Sequence, residues 1–386
     1  MKPSTLRITI VAAFVAACGL APNASGADWP MHRGEPQLRG LSTLDVNAGI
    51  ELAWTFKAPK GVKSGAAIAG DRVFLGDDSG TLLALERATG KQIWSFKTES
   101  AIEAVPLVLD DTVYIGSGDG FLYALERNNG KPRWKYETDD KINGGPTFAK
   151  VPEGPATWII TGSNDGNLHC VDAVTGKAVW KAPTDNYING TAALTPNGQV
   201  IFGGCDSALH VVNLADGKEA RRVEIDAYVA SSVAVDEKGS VFFGHYGNEV
   251  VGIDPNKGEI RWKFRDRNFP YFASVCLPDG LVIAGGRDKR LHAIDREKGE
   301  SRWQFPTRGA IDSSPIVCKD SVVFASMDGR LYCVALADGT ERWVYEIGAP
   351  VTASLAAADG ILIVAAEDGN VFAFKPKSTP QTTPSR

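Results

Sequence analysis

Methionine is scarce in this chain, with only 3 among 386 residues, and the leading apolar run Ile8 to Ala17 is too short to cross a bilayer. A bundle of membrane-spanning helices is therefore excluded. Basic residues are not in excess: Lys and Arg number 41 against 46 Asp and Glu, for a formal net charge of −5. Without a concentration of Lys and Arg to neutralise phosphates, no nucleic-acid partner is expected. The 6 cysteines include no adjacent pair, and those after Cys18 (Cys170, Cys205, Cys276, Cys318 and Cys333) are odd in number. At least one thiol is left unpaired within the chain, and alternation with apolar residues marks these cysteines as small buried hydrophobes.

What the chain has is the composition of a soluble folded protein, 44% hydrophobic and 23% charged, with 41 glycines that imply many tight turns. Residues 1–27 read as a signal peptide, because Lys2 and Arg7 precede the short apolar run. Export to the periplasm follows. Two processing routes remain open. Val15-Ala16-Ala17-Cys18 resembles a lipobox, which would make Cys18 the acylated first residue and anchor the protein to the outer membrane. Cleavage after Ala27, with Ser25 and Ala27 at the positions the peptidase reads, would leave it free. Membrane contact is expected only through that lipid.

The rest is a repeat. A glycine followed four residues later by tryptophan recurs at Gly90/Trp94, Gly130/Trp134, Gly176/Trp180, Gly258/Trp262, Gly299/Trp303 and Gly339/Trp343. A further unit has Gly217 with Arg221 in the tryptophan position, and the glycines are spaced 40, 46, 41, 41, 41 and 40 residues apart. Each unit reads as four short strands separated by turn sequences, such as Asp77-Asp78-Ser79-Gly80, which is the period of a propeller blade. The strands Ile361 to Ala365 and Asn370 to Phe374 lack a tryptophan strand, whereas Glu51 to Phe56 carries Trp54 and lacks a blade. Pairing the two closes the ring and removes free sheet edges. The expectation is an all-β, eight-bladed propeller over residues 28–376, monomeric, followed by a disordered tail. Each repeat tryptophan is assigned to packing on a neighbouring sheet, where burial contributes on the order of 4 to 6 kcal/mol as an upper bound.

The units Gly118 to Leu125 and Asn129 to Tyr136, with copies from Asp165-Gly166 to Trp180 and from Asp328-Gly329 to Trp343, resemble the pyrroloquinoline-quinone-type propeller repeat. The opening Asp28-Trp29-Pro30-Met31-His32-Arg33-Gly34 is similar to the start of many exported members. Eight minimal blades, an export signal and a lipobox-like segment most resemble the BamB family of outer-membrane assembly lipoproteins. That resemblance implies a non-enzymatic scaffold whose protein partner is an outer-membrane assembly porin. The quinone-dependent dehydrogenases with this repeat imply the rival reading, a quinone-binding oxidoreductase or ligand sensor. They carry long insertions, calcium-ligating carboxylates and often a vicinal cysteine pair, and this chain has near-minimal blades and no such pair. No cofactor, metal or catalytic residue is assigned. The turn aspartates Asp119, Asp165, Asp206, Asp288, Asp328 and Asp368 occupy equivalent positions, as turn formers do. His169, His210 and His292 share one register on separate sheets, too far apart for a common zinc ion.

Function is sought where the copies differ. Tyr187, Tyr228, Phe269, Tyr271 and Phe272 lie on the connectors entering blades four to six and are expected to form an aromatic interaction surface, with gap-filling between blades as the alternative. A ring at the channel mouth is expected from Lys63, Glu103, Asn143, Asn189, Ala230, Phe272, Asp312 and Thr352, suited to a small polar ligand or a wall carbohydrate, or to water alone. Lys150 to Thr157, stiffened by Pro152 and Pro155, lengthens a hairpin of blade three and is a third candidate contact.

Overall fold

The computed structural model describes residues 28–151 and 154–377. The leader with Cys18, the loop residue Pro152 and the tail beyond Lys377 lie outside the described residues. Eight antiparallel sheets are arranged as the blades of a propeller, each running outward to a strand that carries the repeat tryptophan in every blade but the fourth. Blade one is Ala67–Ala69, Arg72–Gly76, Thr81–Glu86 and Gln92–Lys97, in that spatial order. Blade six reduces its inner strand to a single bridge, Cys276 to Ile283, and blade seven gains a fifth strand, Leu41–Ser42, parallel to Ile316–Cys318.

The ring closes as the repeat demands. Ile50–Lys57 pairs antiparallel with Asn370–Pro376, setting Trp54 opposite Ala373 and Thr55 opposite Phe372. In each of the eight blades the outer pairing slips by one residue just before the tryptophan position. Such a bulge re-aims the side chain that follows it. Here it turns the indole onto the next blade: Trp303 lies over Gly339, where a methyl group would come within 2.6 Å of the ring, and its Nε1 donates to Leu336 O at 3.0 Å. Trp94 does the same over Gly130 with Arg127 O, and Trp180 over Gly217 with Leu214 O. The exception is blade four, where the Arg221 side chain lies over Gly258.

One end of the axis is filled by the segment before the first blade. Trp29 bridges to Ile68 of blade one, and Pro30 O accepts from Val108 N of blade two. Pro36, Gln37, Arg39 and Gly40 carbonyls then accept in turn from Leu194, Val235, Leu277 and Val317 of blades four to seven, and the Ser42 hydroxyl donates to Ala357 O of blade eight. This strap circles the underside of the ring, with Met31 and Leu38 fully buried. Arg33 reaches from it to blade six, donating through Nη2 to Val275 O at 3.0 Å. His32 is buried beside it, and burial together with the Arg33 charge pulls its imidazole down to about 3. At the same time the connector residues just before the inner strands are laced to one another: Ser64 Oγ donates to Ala104 O, Thr191 N to Ser232 Oγ, and Ser313 Oγ to Ala353 O.

Candidate interaction face

The face opposite the strap is built from the turns between second and third strands and from the connectors that enter each blade. The turn aspartates act as clasps. Asp119 accepts from Phe121 N through Oδ1 and from the Tyr123 hydroxyl through Oδ2 at 2.9 Å, and Asp328 takes Tyr332 in the same way at 2.8 Å. Where histidine replaces the tyrosine, its Nε2 lies 3.0 Å from Asp165, 2.9 Å from Asp206 or 2.8 Å from Asp288. These are structural pairs, repeated on separate sheets.

The second ring nitrogen distinguishes them. Nδ1 of His169 meets the Tyr136 hydroxyl at 3.0 Å, and that of His210 meets Glu219 at 2.7 Å. Nδ1 of His292 is buried with no hydrogen-bond partner among the described residues, and the imidazole meets the Phe264 ring edge-on, 5.4 Å away centroid to centroid. Phe264→Tyr, which copies Tyr136, is expected to add about 1 kcal/mol of stability by supplying the missing partner. An unchanged or lower denaturation midpoint would refute that assignment. Asp266, Asp288 and His292 bring ligand atoms within 4.8 Å of one another, and His292 Nε2 is already paired with the Asp288 carboxylate at 2.8 Å.

Of the predicted aromatic surface, Tyr187 and Tyr228 are 50% and 52% exposed and Phe269 is 47% exposed. Backbone bonds seat these connectors on the following blade: Cys205 N donates to Tyr187 O, Tyr246 N to Tyr228 O, and Arg287 N to Pro270 O. Phe272 is half-buried. Tyr271 is a correction. It is only 1% exposed and belongs to the core, because it takes the inward position that Ile102, Ile142, Ile188, Val229 and Ile311 hold on other connectors, against the second-strand glycine of the preceding blade. Burial, with Asp288 and Asp266 nearby, raises its hydroxyl well above the usual range.

Two residues join the surface that connector positions alone do not reveal. Tyr246, 49% exposed, meets Tyr228 at 6.4 Å and Phe272 at 4.5 Å. Arg287 stacks over Phe272 with its guanidinium carbon 4.3 Å from the centroid, and it forms a two-pronged pair with Asp312. The signal for Tyr246 was the break in turn pattern at His245-Tyr246-Gly247, where Gly247 stands at the position that six other turns give to aspartate and blade one gives to Ser79.

Two neighbouring pairs of ring positions meet: Lys63 lies 3.7 Å from Glu103, and Asn143 Nδ2 lies 3.3 Å from Asn189 Oδ1, whereas Thr352 donates to Glu367 of the blade-eight turn at 2.9 Å. Asp312 is joined to Phe272 through Arg287, so the polar ring and the aromatic surface are continuous in blades five to seven. In the blade-three hairpin Lys150 pairs with Thr157 and Val151 N donates to Ala156 O, at the end of the first two strands where the strap also binds.

A model of the family described as outer membrane protein assembly factor BamB matches residues 41–183, 141–263, 205–308 and 270–381. No curated protein matches the chain. Among solved structures, BamB from Moraxella catarrhalis is 18% identical with a TM-score of 0.71, over 86% of this chain and 99% of that one. A europium-containing methanol dehydrogenase is 12% identical with a TM-score of 0.77, over 90% and 98%. A quinohemoprotein alcohol dehydrogenase from Pseudomonas putida HK5 is 15% identical with a TM-score of 0.75, over 94% and 82%. These likenesses show a shared fold. The cysteines of this chain are not adjacent in sequence, and at the strap end of the axis His32 and Arg33 are buried. The matched segments together span the eight blades, and the chain belongs to the outer membrane protein assembly factor BamB family.

Proposed function

We propose that this protein is an exported, non-enzymatic scaffold that binds another protein through the aromatic face of blades four to six, in outer-membrane protein assembly. The observation that carries the reading is the cluster itself. Tyr187, Tyr228, Tyr246 and Phe269 are each about half exposed on one face, and among the described residues they are the aromatic members of the exposed large hydrophobic groups. Aromatic side chains with an adjacent arginine are the preferred anchors of protein interfaces, and Arg287 stands beside Phe272. The family supports an assembly porin of the outer membrane as the partner, with Cys18 acylation or cleavage after Ala27 setting how the scaffold is held there.

The test is a crosslinked pull-down of the full chain from envelope membranes, beside Tyr187→Ser/Tyr228→Ser/Tyr246→Ser. The porin is expected with the unaltered chain and to fall by about tenfold or more with the variant, since interface anchors each contribute roughly 1 to 2 kcal/mol. Equal recovery by both chains would refute the assignment of this face. Mass measurement of the mature N-terminus decides between the two processing routes.

A further inference from the structure

The residue five places after each repeat tryptophan, or after Arg221, lies on the connector to the next blade, on the face opposite the strap. From blade one to blade six these residues are Glu99, Asp139, Asp185, Asp226, Arg267 and Arg308. The sign changes once around the ring. A shared backbone bond fixes the position: Glu99 N donates to Asp119 Oδ2 at 3.0 Å, Asp139 N to Asp165 Oδ2 at 3.2 Å, and Arg308 N to Asp328 Oδ2 at 2.9 Å. All six side chains are exposed.

Two places further along, the exposed rings Tyr187, Tyr228 and Phe269 occupy three successive connectors, with Lys141 before them and Ala310 after. Charge and aromatics thus share one centre, the connector that carries Asp226 and Tyr228. One step outward, Asp185 and Tyr187 on one side match Arg267 and Phe269 on the other. At the second step Asp139 matches Arg308, an acid again opposite an arginine.

A surface of this kind complements itself. Turn one copy over about a line running from the propeller axis out through Tyr228, and each connector on one side lies over its counterpart from the other: Asp185 over Arg267, Tyr187 over Phe269, Asp139 over Arg308. Each pair then occurs twice, as a two-fold contact requires. Asp226 faces its own kind at the centre, one like-charge contact set against the flanking opposite ones. Among the described residues the side chains of Asp139 and Arg308 make no ion pair within the chain, so both are free to meet a partner. Arg267 has Asp266 at 3.9 Å, and Asp185 keeps Arg222 at 3.0 Å while 79% exposed. Central aromatics supply the anchoring of such a contact, and the charges around them fix its orientation.

We propose that this face pairs with a second copy of the chain in a two-fold dimer, with the three connector aromatics at its centre and an Asp139–Arg308 pair on either flank. The monomer expected from the sequence is then the dissociated form. The dimer covers the face assigned above to another protein, so the two occupants exclude each other. It does not depend on that assignment and is measured with the purified chain alone.

The test is sedimentation equilibrium over a concentration series, at about 20 mM and about 500 mM salt, between which the screening length falls from roughly 20 Å to roughly 4 Å. A monomer–dimer equilibrium is expected, weaker in the higher salt. Asp139→Arg and Arg308→Glu each set like charges together at two places and are expected to raise the dissociation constant about tenfold or more. Carried in one chain, the two changes restore both pairs with their signs exchanged, and an equimolar mixture of the single variants does the same. Dimerisation is then expected to return to within about threefold of the unaltered chain. Should a reversal fail to fold, Asp139→Asn and Arg308→Gln remove the charge instead, each expected to weaken the dimer about threefold. A chain that stays monomeric at every concentration, a dimer indifferent to the changes at Asp139 and Arg308, or a double reversal that restores nothing overturns the proposal; in the first case the face is left to a different partner.

Discussion

Trp303→Ala is expected to lower unfolding stability by about 3 to 5 kcal/mol, the range for removing a buried aromatic side chain. The indole is 9% exposed, lies on the backbone of the next blade, and gives its one N–H to Leu336 O. Truncation would leave a hole between two sheets and an unmatched carbonyl at its floor. A paired substitution tests the geometry. Gly339 and Gly258 have nearly the same backbone, φ +73° and +74°, so alanine incurs a similar backbone penalty at either. At Gly339 the new methyl meets the Trp303 ring at 2.6 Å; at Gly258 it meets the flexible Arg221 side chain at 3.1 Å. Gly339→Ala should therefore cost about 1 to 3 kcal/mol more than Gly258→Ala in equilibrium denaturation. Equal losses would mean that the indole moves aside freely, and the tryptophan argument would fall.

Acidification is expected to weaken the fold before the carboxylates titrate. Burial, with Arg33 adjacent, pulls His32 down to about 3; burial, with Lys263 and Arg265 nearby and despite Glu249, pulls His245 down to about 4. His169 is shifted the same way by burial, which Asp165 only partly offsets. A histidine kept neutral in the fold takes up its proton first in the unfolded chain. Its contribution is thus complete above the unfolded value near 6.5 and is lost as pH falls toward the folded one. Between about pH 7.5 and 5 the loss is roughly 2 kcal/mol for each of His32 and His245. His245 Nδ1 accepts from Gly247 N at 3.0 Å, an arrangement that the imidazolium cannot make. A double His32→Gln/His245→Gln variant should flatten the dependence of Tm on pH over that window. A slope unchanged in the double variant would refute the assignment.

The architecture was legible because one packing rule is copied around the ring. Glycine with a positive φ receives the indole of the preceding blade, and the period of that pair fixes blade number, strand count and the closure of Trp54 on the C-terminal sheet. The candidate face was legible only in part. Tyr187, Tyr228 and Phe269 emerge exposed because they break an otherwise polar connector, but Tyr271 stands one residue before the ring position, where the other connectors place an aliphatic residue. Register, rather than residue type, decided its direction. Tyr246 was overlooked because it lies in the blade-five turn, one residue before the repeated turn position, instead of on a connector. The strap was not legible at all: Met31, His32 and Arg33 have no period, and their burial depends on carbonyls and side chains from blades that are distant in the chain.

The strap and the closing strand bear on how the molecule can come into being. Ser42 reaches a carbonyl 315 residues further on, and Ile50–Lys57 finds its sheet partner only in Asn370–Pro376. A chain delivered from its N-terminus must hold both segments unmatched until nearly all of it has emerged, and such distant pairings slow folding and prolong exposure of sticky intermediates. Assembly therefore completes in its final step, so a C-terminal truncation that removes Asn370–Pro376 would leave Ile50–Lys57 without its sheet partner and open the circle.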